Sequence, residues 1–117
     1  MSVDISQSGN WILHICKRAE WQAAQQIGEY RALSLDTEGF IHCSRLDQVA
    51  AAANQFFSGA EDLVVLWIDP EEIKAELRWD PVGGEVYPHI YGPLNLEAVK
   101  VVDSYAPDAD GIFHPPS

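Results

Sequence analysis

Basic residues are scarce in this sequence. Seven Lys and Arg stand against 18 Asp and Glu in 117 residues, a formal charge of −11. The seven are scattered, with Lys17 and Arg18 the one adjacent pair. Gripping a nucleic-acid backbone needs several cations on one face, so RNA and DNA are not expected partners. The same deficit disfavours an anionic membrane surface. Cysteine is equally sparse: Cys16 and Cys43 fit no metal-ligand spacing and make no disulfide framework. Both sit in apolar runs, as reduced buried thiols of a cytoplasmic protein do. No apolar run reaches the length of a membrane span. Met1 to Asn10 lacks the basic and apolar regions of a secretory leader. Repeats and low-complexity tracts are missing too.

What is present is ordinary globular composition, 47% hydrophobic and 10% aromatic. Residues 1–117 read as a single domain with its core over about 11–105. A flexible N-terminal tail is expected over 1–9 and a Pro- and Asp-rich tail over 106–117.

The apolar run Trp11–Cys16 reads as a first, buried strand. Arg18–Glu29 carries Trp21, Ala24 and Ile27 at helical spacing, and Gly28 stands where that helix would stop. A loop over Tyr30–Glu38 leads to a second strand, Gly39–Ser44. Ser44-Arg45-Leu46-Asp47 matches a capping pattern, which predicts a helix from Arg45 with Ser44 as its N-cap. The apolar stripe behind it runs to Phe57. Asp62–Asp69 reads as a central strand. A short helix is expected from Pro70, broken by Arg78-Trp79-Asp80-Pro81 and Gly83-Gly84. Glu85–Pro93 reads as loop and edge strand, and Val99–Tyr105 as the last strand. The fold class is α+β, with two or three flanking helices.

Four histidines are the natural candidates for chemistry. By the two-residue strand period His14 shares a face with Ile12 and Cys16, and His42 with Phe40 and Ser44. His89 lies in the rigid segment Tyr87-Pro88-His89-Ile90-Tyr91-Gly92-Pro93. His114, in the Pro-rich tail, reads as an exposed spectator. A lone strand histidine is ordinarily a hydrogen-bonded core residue. Three in apolar segments of separate elements are explained economically by convergence on one pocket, because each unsatisfied buried imidazole costs about 1–3 kcal/mol. Ser44, as an N-cap, also offers free N–H groups to an anion. Glu85 and Asp80 are acids in a Gly-rich stretch, where exposure is the default.

The strings His14-Ile15, Gly39-Phe40-Ile41-His42-Cys43-Ser44 and Pro88-His89-Ile90-Tyr91-Gly92-Pro93-Leu94 resemble the hallmarks of the bacterial family called domain of unknown function 952, over about Ile12–Gly111. That resemblance implies an ADP-ribosyltransferase-like fold, with split antiparallel sheets around an NAD-sized cleft. Ile41-His42-Cys43-Ser44, the helix behind it and Leu63–Asp69 are similar, more loosely, to the RNA 2′-phosphotransferases, which share that fold and use NAD. Carried over, the resemblance implies a ribose-holding role for His14 and a place beside the nicotinamide for His42, with Ser44 adjacent. It implies a late charge-stabilising role for His89 or Glu85. No Arg shares a face with His14 or His42, so the phosphotransfer reaction itself is not expected.

The resulting expectation is an NAD- or ADP-ribose-recognising protein, possessing glycosyl-transfer chemistry or acting as a catalytically silent binding module. His14, His42 and His89 are the catalytic candidates; Ser44, Tyr91, Phe40 and Glu85 are the substrate-binding ones. NAD would be substrate, and no metal is expected, a three-histidine zinc site ranking last because no two histidines stand at a ligand spacing. The partner is a small nucleotide-like molecule, and the oligomeric state is open.

Overall fold

The structure, a computed structural model, describes residues 10–116. Its elements in chain order are β1 (Ile12–Lys17), α1 (Arg18–Ile27), β2 (Glu29–Tyr30), α2 (Leu33–Thr37), β3 (Ile41–His42), β4 (Ser44–Arg45), α3 (Val49–Phe56), β5 (Leu63–Ile68), β6 (Glu76–Val82), β7 (Glu85–Tyr91), β8 (Leu94–Asn95) and β9 (Val99–Tyr105), with 3-10 turns at Pro70–Glu72 and Leu96–Ala98. The protein is α+β, built on antiparallel pairs throughout. The expected tail over 1–9 lies outside the described residues.

The main sheet has the order β4-β1-β5-β9. β5 is buried at every residue, as its unbroken apolar run requires of a strand covered on both faces. Alternation along β1 and β5 splits the core in two. Ile12, Cys16, Val64, Leu66 and Ile68 pack with Ala24, Ile41, Ile90 and Leu94 on one face. Leu13, Ile15, Val65 and Trp67 pack with Val49, Ala53 and Phe113 on the other. Burial of each large aliphatic side chain contributes about 1.5–3 kcal/mol, so both faces are held strongly. α1 ends as its sequence predicts: Gly28, at φ 97°, turns the chain and donates its N–H to Ala24.

A second sheet, β3-β7-β6, carries the functional candidates. The chain passes between the two sheets at Cys43, whose N–H donates to the Pro88 carbonyl. Pro88 sits in the middle strand without penalty to its neighbour, since a residue's N–H and C=O point to the same side of an antiparallel ladder and here that side faces Cys43.

Several expectations are corrected. Ser44 does not cap a helix: it is a buried strand residue opposite Leu13 of β1, and α3 begins only at Val49 after Gln48. The local capping pattern loses to sheet pairing, and the turn at 45–48 is closed by Gln48, whose Oε1 accepts from the Arg45 N–H at 3.0 Å. The helix expected from Pro70 is a single 3-10 turn with Asp69 capping the Glu71 N–H. The residues treated as breakers form β6, joined to β7 through Gly83 and Gly84, both at positive φ as a tight hairpin turn demands. β7 is therefore the middle strand of its sheet and not an edge. Finally, the segment 106–116 is docked: Phe113 is 2% exposed, and its N–H and carbonyl are clamped by the Asn54 amide at 2.7 and 3.0 Å. The loop expected over 30–38 holds β2 and α2.

Candidate functional site

His89 is in the middle of β7, cross-paired with Arg78 on β6 and His42 on β3. Side chains directly opposite share a face, so this register alone gathers His42, His89 and Arg78. The His42 and His89 rings are perpendicular, with centroids 5.3 Å apart. Phe40 folds back over them, stacked on His89 at 4.2 Å and edge-on to His42 at 4.8 Å. Its approach follows from Gly39, at φ 91°, and from Ser34, whose hydroxyl donates to the Phe40 carbonyl at 2.7 Å.

Each imidazole has its own carboxylate. His89, 3% exposed, donates Nδ1–H to Asp80 at 2.8 Å. His42 is exposed and donates Nε2–H to Glu38, four residues earlier, at 2.9 Å. Asp80 also accepts from the Tyr91 hydroxyl at 2.5 Å, and these two hydrogen bonds hold its carboxyl below the usual carboxylate range. Asp80 is therefore a fixed anion that orients both His89 and Tyr91. His89 Nε2 has no hydrogen bond among the described residues, the arrangement by which a carboxylate sets an imidazole's tautomer for proton transfer or ligand binding. Arg78 completes the group, its guanidinium 4.4 Å above the Tyr91 ring and bonded to Glu76 at 2.6 and 3.1 Å.

His14 meets the cluster from beneath. Its Nδ1–H donates to the His42 carbonyl at 2.5 Å, and its Nε2 accepts from the Tyr30 hydroxyl at 2.7 Å. Burial lowers its pKa to about 4, so the ring is neutral at physiological pH. Burial pushes the Cys16 thiol up to about 12, and the Cys43 thiol is raised by the same cause. Neither thiol is a nucleophile.

The sequence candidates divide accordingly. His42, His89, Phe40 and Tyr91 come together, and His14 supports them through backbone. Ser44 shares no face with His42, because the chain changes sheets at Cys43. Glu85 lies at the hairpin turn, four residues and on the order of 13 Å along β7 from His89, where it pairs with Arg45 at 3.6 Å. His114 is exposed and bonded to Asp108 at 2.6 Å. Among the described residues no three His, Cys, Asp or Glu side chains are grouped to hold a metal ion. Both His14 nitrogens are hydrogen-bonded, one to the His42 carbonyl and one to the Tyr30 hydroxyl. Asp80, which the sequence presents as an exposed acid, belongs to the group instead, and Glu38, Arg78 and Tyr30 join it without a local signal of their own. For Asp80 and Arg78 the signal was Gly83-Gly84 between two seven-residue runs, which sets the hairpin register.

These features define a small α+β protein with a histidine–carboxylate–aromatic cluster on its minor sheet. Residues 15–102 match the family described as protein of unknown function (DUF952), and the chain belongs to that family. It is similar to the crystal structure of protein CC0527 from Caulobacter crescentus, at 34% identity and a TM-score of 0.82 over 89% of this chain and 93% of that one. A double mutant of CC0527 gives 34% identity and 0.81 over the same shares. Its solution NMR structure gives 32% and 0.73, covering 90% and 92%. No curated protein matches. Among the described residues no helix is long and apolar enough to cross a membrane.

Proposed function

We propose that this is a cytoplasmic protein that binds a small nucleotide-like molecule, with NAD or ADP-ribose the first candidate, at the cluster of Phe40, His42, His89 and Tyr91. The observation that carries the reading is the Asp80–His89 pair: a buried imidazole oriented at Nδ1 by a carboxylate at 2.8 Å, with a phenyl ring stacked on it. A planar base fits against Phe40 and His42, ribose hydroxyls suit the free imidazole nitrogens, and His89 is the group positioned to exchange a proton at the ligand. The ADP-ribosyltransferase-like fold implied by the sequence strings belongs to the same reading. Glycosyl transfer would require a group to stabilise a ribosyl cation, and His89 with Asp80 is the candidate.

A silent binding module is the second reading. It is favoured by the position of Glu85, which leaves the cluster without a free glutamate of the kind that transfer of a ribosyl group employs.

Thermal unfolding with NAD, ADP-ribose, nicotinamide and plain nucleosides tests the proposal. A ligand at about 100 times its Kd adds about 2.7 kcal/mol of stability, and that gain should vanish in His89→Ala and Phe40→Ala. Incubation of NAD with the protein, followed by chromatography, separates the enzyme from the module. No stabilisation by any compound, or an undiminished one in both variants, would sink the reading.

A further inference from the structure

We infer that the cluster takes its ligand through a positively charged planar ring and not through phosphate. This rests on the reading of the cluster as a small-molecule site and narrows its ligand class to one that NAD meets and ADP-ribose does not.

The first observation is the sign of the surroundings. Glu38, Asp80 and Glu76 flank the rings, against Arg78 alone. Arg78 holds Glu76 through both Nε and Nη2, so its charge is already matched by that carboxylate. Of the other cations, Arg18, Arg31, Arg45, Lys74 and Lys100 each have a carboxylate within 4.0 Å, and Lys17 stands at the end of β1 in the main sheet. The helix start at Ser44 that would have received an anion is a strand. A phosphate group brought to this face would meet net negative charge at close range, where Coulomb terms of about 1–4 kcal/mol per pair act against it.

The second observation is independent and concerns the rings. Aromatic faces carry negative quadrupoles that attract cations. The protein already seats one planar cation in this way, the Arg78 guanidinium 4.4 Å over Tyr91 and beside Glu76. The adjoining rings of Phe40 and His42 offer the same chemistry, with Glu38 hydrogen-bonded at the edge of His42 as the neighbouring carboxylate. Beside them the buried His89 ring stacks on Phe40 at 4.2 Å, and its Nε2 has no hydrogen bond among the described residues. An N-alkylated aromatic heterocycle, the chemistry of a cationic nucleoside base, satisfies all of these features together.

Calorimetric titration with three matched compounds tests this: 1-methylnicotinamide as the cation, nicotinamide as its neutral counterpart and nicotinate as the anion. The expected order is cation first, at least tenfold tighter than neutral, with the anion not binding. Glu38→Gln, an exposed change, should cut the cation's advantage at least threefold and leave nicotinamide's affinity unaltered. Inorganic pyrophosphate should not compete. Equal affinities, the reverse order, or competition by pyrophosphate overturns the inference while leaving a small-molecule site in place. If none of the three binds and NAD and ADP-ribose give no stabilisation either, the site reading falls and the inference with it.

Discussion

The imidazole of His14 and the backbone carbonyl of His42 are joined by a 2.5 Å hydrogen bond between residues 28 apart in sequence. It ties the floor of the cluster to the main sheet. His14→Ala leaves that carbonyl and the Tyr30 hydroxyl without their partner, which should cost about 1–3 kcal/mol. Urea unfolding at pH 7.5 measures it, and a midpoint equal to that of the unmodified protein would refute the relay.

The same ring predicts a pH dependence. Burial lowers the folded pKa of His14 from 6.5 to about 4, so between these values the unfolded chain binds the extra proton. Stability is fully present above pH 6.5 and declines as the pH falls toward 4. The stability advantage of the unmodified protein over His14→Gln should therefore shrink from pH 7 to pH 4.5, by about 3 kcal/mol at most. A constant difference across that interval would show that His14 titrates normally in the fold.

Gln48, not Ser44, is the polar residue that holds the turn before α3. It is 3% exposed, accepts from the Arg45 N–H at 3.0 Å and donates to the Val86 carbonyl at 2.9 Å. Gln48→Ala should cost about 1–3 kcal/mol by stranding buried backbone groups. Ser44→Ala, tested by the same denaturation, should cost less. The opposite ranking would restore the capping assignment.

How legible these features are in the sequence depends on the range of the interaction. β5 and α1 declare themselves because an unbroken apolar run and a terminal glycine are local signals. Ser44 misleads for the same reason: its capping pattern is local, whereas Leu13, thirty-one residues earlier, decides its conformation by pairing. His42, His89, Phe40 and Tyr91 were recognisable as a group from their strings. Their carboxylates were not, since Asp80 reaches His89 through hairpin register and Glu38 reaches His42 through a turn. Nothing in the neighbourhood of Tyr30 marks it as a partner of His14.

Gly92 is required sterically. At φ 155°, a Cβ there would lie 2.9 Å from the Ala75 side chain, so Gly92→Ala must shift the backbone leaving β7. Overpacking of this kind costs about 1–3 kcal/mol. It should also displace Tyr91 from Asp80, visible as a changed tyrosine hydroxyl environment in ultraviolet difference spectra. Full stability in this variant would contradict the close approach.

Phe113 anchors the carboxyl-terminal segment in the core beneath α3. Phe113→Ala should cost about 3–5 kcal/mol, as for other fully buried aromatics. Limited proteolysis should then cut near Asp108, which the unmodified protein resists. Protease resistance retained in the variant would argue that Asn54 alone secures the segment.

The order of strands in the main sheet bears on how the protein is made. β1 is flanked by β4 and β5, so its partners follow it by about thirty and fifty residues. During synthesis, at about 5–20 residues per second, the apolar stretch from Ile12 to Cys16 waits roughly 3–10 s for β5 to leave the ribosome. Until then at least one of its edges is open, the form of chain that chaperones hold and that aggregates in their absence. The same long-range pairing places this protein among slow folders for its size.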